Sequence, residues 1–112
     1  MKSIVEQVDE FMNSVSQNLW LDDGILAVYV RKGRHLISRE VYNTFDVANI
    51  RSLEPEHLGK GYFRTFMEKV ESLGLPVYVE NIHNPALAEM LEKNGYTIIL
   101  GHGDVCALKV PV

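Results

Sequence analysis

Glu56-His57-Leu58-Gly59-Lys60-Gly61-Tyr62-Phe63 is the stretch from which the rest of the chain can be placed. Before it stands an apolar run, Thr44 to Ser52, with Phe45, Val47, Ala48 and Ile50 on both parities. That pattern predicts a central strand buried on two sides. After it, Phe63, Phe66, Met67 and Val70 recur at helical intervals, Gly74 ends the helix and Pro76 blocks its continuation. The polar link from Leu53 to Gly61 is therefore a strand-to-helix loop. Glycines let a backbone wrap closely around an anion, and the free N–H groups of a helix's first turn favour one there. A plain flexible turn fits the same spacing. A dinucleotide fingerprint fails because Arg64 stands at its third glycine. A Walker loop fails because Gly61, not Ser or Thr, follows Lys60.

Upstream, Ser3 and Glu6 have capping-box spacing, and Ile4, Val8, Phe11, Met12, Val15 and Leu19 predict an amphipathic helix running to about Leu19. Asp22-Asp23-Gly24 stops it. Ile25 to Val30 reads as a strand, Arg31-Lys32-Gly33-Arg34 as a tight turn, and His35 to Ser38 as a second strand. Downstream, Val77 to Glu80 is a short strand. Asn84 is an N-cap with Pro85 in the first helical position, and Gly95 ends that helix. Strands near Tyr96 to Leu100 and Val105 to Val110 are joined by the hairpin signal Gly101-His102-Gly103-Asp104. The unit from Thr44 to Glu80 is expected to be parallel and right-handed. The expected fold class is α/β (α+β): a mixed, mostly antiparallel sheet around that strand–helix–strand unit, with helices on both faces.

The chain's 112 residues suit one domain, 1–112, and 46% hydrophobic against 23% charged residues is a globular balance. Eleven basic and 15 acidic residues leave a formal charge of −4, which argues against nucleic acid as a partner. One cysteine, Cys106, excludes an internal disulfide and is expected to be a small buried apolar residue. His35, His57 and His102 are scattered without metal-ligand spacing, so no metal is expected. Met12, Met67 and Met90 fit helix core positions. With no signal-like or membrane-length apolar run, the expected setting is cytoplasmic, away from membranes.

From about Thr44 to Tyr96 the sequence resembles the core of the GNAT superfamily, the acyl-CoA-dependent N-acetyltransferases. Pro55 to Gly61 resembles its pyrophosphate loop. Val77-Tyr78-Val79-Glu80-Asn81-Ile82-His83-Asn84 resembles its fifth strand and the asparagine beyond. Glu92-Lys93-Asn94-Gly95-Tyr96 resembles the end of the next helix. The resemblance implies acetyl-CoA as acyl donor, its pantetheine arm lying between two splayed strands. Backbone groups near Arg51, Ser52 and Leu53 would pair with that arm. N–H groups of Gly59, Lys60, Gly61, Tyr62 and Phe63 would take the pyrophosphate, and Asn84 would reach the cofactor near its thioester. A neutral primary amine, on a protein or a small molecule, would then attack the acetyl carbonyl directly, and positioning would supply much of the rate.

The amine must first lose a proton. Glu80 is the leading candidate to receive it, then Asp46, then His83. Leu58 stands where the family has Gln or Arg, Phe63 where it has a second small residue, and Leu91 where many members place a tyrosine acid. Phe63 is expected to join the core. Tyr62, Tyr78 and Tyr96 are the candidates to replace that acid. The alternative function is a catalytically weak or inactive domain of this fold that binds CoA or a protein. Monomer and homodimer both fit, since an exposed edge strand can pair.

Overall fold

Two crossovers that run the same way organise the molecule. A computed structural model describes residues 2–51, 61–101 and 103–111. Its elements are α1 (Ile4–Met12), β1 (Asn18–Asp22), β2 (Ala27–Ile37), β3 (Glu40–Arg51), α2 (Tyr62–Glu71), β4 (Val77–Val79), α3 (Pro85–Lys93), β5 (Thr97–Leu100) and β6 (Val105–Lys109). The sheet order is β1-β2-β3-β4-β6-β5, antiparallel except between β3 and β4. This is the expected fold class. Among the described residues, no helix is long and apolar enough to cross a membrane.

The placing of the helices differs from expectation. α2 links β3 to β4, and α3 links β4 to β5, in the same direction across the sheet. Right-handed crossovers with that shared direction lie on one face. α1 joins them there: Phe11 meets Phe45 edge-on, with centroids 6.0 Å apart, and Asp9 pairs with Lys69 of α2 at 2.7 Å. One core results, with Val8, Phe11, Phe66, Val70 and Leu91 from the helices against Val28, Val30, Phe45, Val47, Val77, Val79 and Ala107. Each of these side chains except the small Ala107 contributes roughly 1.5–3 kcal/mol by leaving water.

Three boundaries also move. The Ser3 cap forms, Glu6 N–H donating to its Oγ at 3.1 Å. α1 nevertheless ends at Met12 rather than Leu19, which lies in β1. Asn13 and Ser14 side chains turn back onto the carbonyls of Asp9 and Phe11, competing with further helix. Val15, apolar and in phase, is left 96% exposed. The expected turn at Arg31 to Arg34 is the middle of one long strand, paired with β3 throughout. The reversal falls at Ser38 and Arg39, both at positive φ (49° and 70°), between the paired residues Ile37 and Glu40. β3 accordingly begins before Thr44, and Thr44 to Ala48 are buried on both faces as a central strand requires.

The parallel pair comes apart at its C-terminal end. Phe45, Asp46 and Val47 pair with Val77, Tyr78 and Val79, and Glu80 N–H donates to the Val47 carbonyl at 2.9 Å. β3 then stays with β2 to Arg51, while Ile82 N–H turns to the Val105 carbonyl at 3.1 Å. Ala48 is a bulge residue, because Val30 faces Val47 and Tyr29 faces Asn49. Asn81, at φ 55°, spans the opening with its side-chain amide donating to the Ala48 carbonyl at 2.8 Å.

Candidate active site

Alternation along three adjacent strands brings one set of polar side chains to the sheet face opposite the core. Arg31, Gly33 and His35 come from β2, Thr44 and Asp46 from β3, and Tyr78 and Glu80 from the end of β4. Asp46 is the hub and has no exposed surface. Arg31 Nε donates to its Oδ2 at 3.0 Å, His35 Nε2 lies 2.9 Å from the same oxygen, and Thr44 donates to Oδ1. Arg31 also donates through Nη2 to Glu80 Oε1. Burial works against the Arg31 charge, but the bonds and charges of Asp46 and Glu80 outweigh it and hold its pKa above the ordinary value.

Gly33 explains how a carboxylate fits there. A Cβ on Gly33 would lie 2.1 Å from Asp46 Oδ2. The carboxylate occupies the space a side chain would fill, between Arg31 and His35 on the same strand. Tyr78 completes the group. Its ring stacks on His35 with centroids 3.9 Å apart and planes 20° apart. Burial, then the hydrogen bond and charge of Cys106, then Glu80 and Asp46, push its pKa well up, so the phenol keeps its proton. Cys106 is thus partly exposed beside Tyr78, not a buried apolar filler as expected.

Of the three base candidates, Glu80 and Asp46 are joined through Arg31, while His83 is exposed and takes no part in these bonds. Atoms of His35, Asp46 and Glu80 lie within 4.8 Å of one another, a grouping that could hold a metal ion. The Arg31 guanidinium bonds both carboxylates of that grouping. Arg31 and His35 went unrecognised in the sequence because a turn at Arg31–Arg34 destroys their parity. A strand register through Gly33 was the signal that could have found them.

Of the expected cofactor contacts, Ser52, Leu53, Gly59 and Lys60 lie outside the described residues. Gly61 is the N-cap of α2 at φ 82°, no side chain caps that helix, and a Cβ there would meet nothing within 4 Å. Tyr62 and Phe63 form the first turn, which holds no acidic residue. Phe63 packs against the core beside Phe66, as expected. Arg51, exposed at the end of β3, lays its guanidinium 4.6 Å from the Trp20 ring centroid. Asn84 caps α3, its Oδ1 accepting from Ala86 N–H at 2.9 Å. Leu91 is buried in the core, and the Tyr96 hydroxyl donates to Glu71 at 2.7 Å, away from this cluster.

The chain matches no family model and no curated protein. A solved structure does share its fold. It is that of the N-acetyltransferase YlbP of Bacillus subtilis in complex with coenzyme A. The two superpose with a TM-score of 0.56 at 16% identity, over 96% of this chain and 80% of that one. The likeness to YlbP is one of fold, of the kind the sequence resemblance implied. In open sheets of this kind, ligands favour the C-terminal ends of parallel strands. Here that edge holds the parted ends of β3 and β4, the start of α2 and the Glu80–Arg31 pair.

Proposed function

We propose that this protein is an N-acetyltransferase that moves an acetyl group from acetyl-CoA to a primary amine of a protein or small molecule. The observation that carries the reading is the parting of β3 from β4 beyond Val47 and Val79, with the glycine-capped start of α2 at the same edge. Where two strands part, an edge can take the amide groups of a pantetheine arm as a strand takes its neighbour. The first-turn N–H groups of α2, with no capping side chain, suit a pyrophosphate. The fold shared with CoA-bound YlbP supports the same reading. Acetyl-CoA would supply the activated acyl group. The chain's own residues hold and orient it, and Glu80, partly exposed at the mouth of the cluster, draws in an ammonium.

A second reading, a CoA- or protein-binding module without turnover, is favoured by Leu91, which is core where the resemblance places a tyrosine acid. Two measurements separate them. A ligand at a hundredfold excess over its Kd stabilises the native state by about 2.7 kcal/mol. For a domain near this size, acetyl-CoA should then raise the thermal midpoint by roughly 10 °C. Intact-mass analysis of an amine panel should show the acetyl adduct. A thermal shift without an adduct supports a CoA-binding module, and no shift removes acyl transfer and leaves only a protein-binding module. In Gly61→Asp the new carboxylate takes on the strain of a left-handed φ, in space with no neighbour within 4 Å, and meets the phosphates with like charge. Cooperative folding should survive and the acetyl-CoA shift should vanish.

A further inference from the structure

Asp46 has the properties of a residue built to orient another. It is fully buried, its carboxylate is fixed by Thr44 and Arg31, and one oxygen faces the His35 ring at 2.9 Å. We infer that His35 is the proton acceptor for the incoming amine, with Asp46 the positioning residue that sets its ring; this rests on the acyl-transfer reading above.

The geometry of the cluster carries it. A carboxylate only accepts, so Nε2 carries the ring proton and Nδ1 keeps a lone pair. Among the described residues Nδ1 has no partner, and the side chain is 21% exposed, enough to meet a substrate. The Tyr78 ring, stacked at 3.9 Å, fixes the imidazole plane while the hydrogen bond fixes its rotation. Glu80 is already bonded to the Arg31 guanidinium, which leaves it the part of a charged anchor beside the ring. His35, Asp46 and Glu80 offer atoms within 4.8 Å of one another, so the imidazole and the Glu80 carboxylate belong to one cluster. Gly33 completes the device, since only its missing side chain lets Asp46 sit between Arg31 and His35.

The step balances as follows. An ammonium gives one proton to His35 Nδ1 and becomes a neutral amine. Its lone pair forms the C–N bond to the acetyl carbon as the C–S bond breaks. A second nitrogen proton ends on the departing sulfur, and the imidazolium releases its proton to water. The charged and titratable groups facing this ring are Arg31 on its own strand, Asp46 on β3, Tyr78 and Glu80 on β4, and Cys106 next to Tyr78 on β6.

The test compares the native chain with His35→Gln, whose amide can still donate to Asp46 but is no proton acceptor. The variant should keep the acetyl-CoA thermal shift, lose about 100-fold in kcat/KM, and lose the acid limb of its pH profile. Separately, nitrogen-15 NMR of the free protein should place the neutral His35 proton on Nε2. A variant as active as its parent, with the same acid limb, overturns the inference and leaves acyl transfer standing. A proton on Nδ1 overturns it without any turnover measurement. A native chain that acetylates no amine sinks the acyl-transfer reading and this inference together.

Discussion

Gly33 and Asp46 show how one residue's absence of a side chain can be another's site. In Gly33→Ala the added methyl would collide with a carboxylate held on three sides. The chain should still fold but lose roughly 1–3 kcal/mol, the usual cost of overpacking. Urea unfolding should register a lower midpoint at unchanged slope. Arg31→Met tests the opposite defect, a buried carboxylate short of its counter-charge. Removing one partner of a buried pair costs about 3–5 kcal/mol, and the partial exposure of Arg31 places this case at the lower end. A second change, Asp46→Leu, in that background should recover part of the loss. If the double variant is no more stable than the single one, the stranded charge is not what destabilises it. At this scale the sequence was half legible. Glu80 and Asp46 stood out by residue type, whereas Arg31 and His35 acquire meaning only from a cross-strand register that no local spacing encodes.

Elements were legible where the chain carries its own punctuation. Ser3 and Asn84 with Pro85 mark helix starts by side-chain chemistry, Gly74 marks an end by its freedom to take φ 77°, and the structure caps α1 and α3 at the first two and ends α2 just before the third. The β2–β3 hairpin was not, because its signals are inverted: the glycine lies mid-strand over Asp46, and the reversal is made by Ser38 and Arg39 without one. Both residues sit at positive φ, the geometry of a two-residue turn that favours Asn-Gly. Replacing Ser38 by Asn and Arg39 by Gly should therefore stabilise the protein by up to about 1 kcal/mol, by removing left-handed strain. The acetyl-CoA thermal shift should be unaffected, since the turn lies at the far end of the hairpin from Arg51. A fall in the denaturation midpoint would mean that the two side chains do more at the tip than reverse the chain. The parting of β3 and β4 was legible only through family resemblance. Its physical causes, the Ala48 bulge and the left-handed Asn81, leave no periodic trace.

The whole molecule places one strongly perturbed phenol on each side of its sheet. Tyr96, on the core side, is 3% exposed, and burial, with Glu71 accepting from its hydroxyl, raises its pKa. Tyr78, on the opposite side, is raised by burial and then by Cys106, Glu80 and Asp46. In both cases the folded pKa stands above the unfolded value of about 10. Such groups stabilise the fold fully below pH 10 and cease to do so as pH rises through the folded pKa. Between the two values the native state binds more protons than the unfolded chain, so stability falls with pH. For Tyr96 the slope approaches about 1.4 kcal/mol per pH unit. Urea unfolding at pH 9 and pH 11 should show that fall. Tyr96→Phe should start lower, having left Glu71 without its donor, and then lose less between the two pH values. The Tyr78→Phe variant should flatten the alkaline limb further while sparing the core. If Tyr96→Phe declines as steeply as its parent, alkaline sensitivity lies elsewhere in the charge distribution, and the Tyr96–Glu71 bond is not where the fold meets high pH.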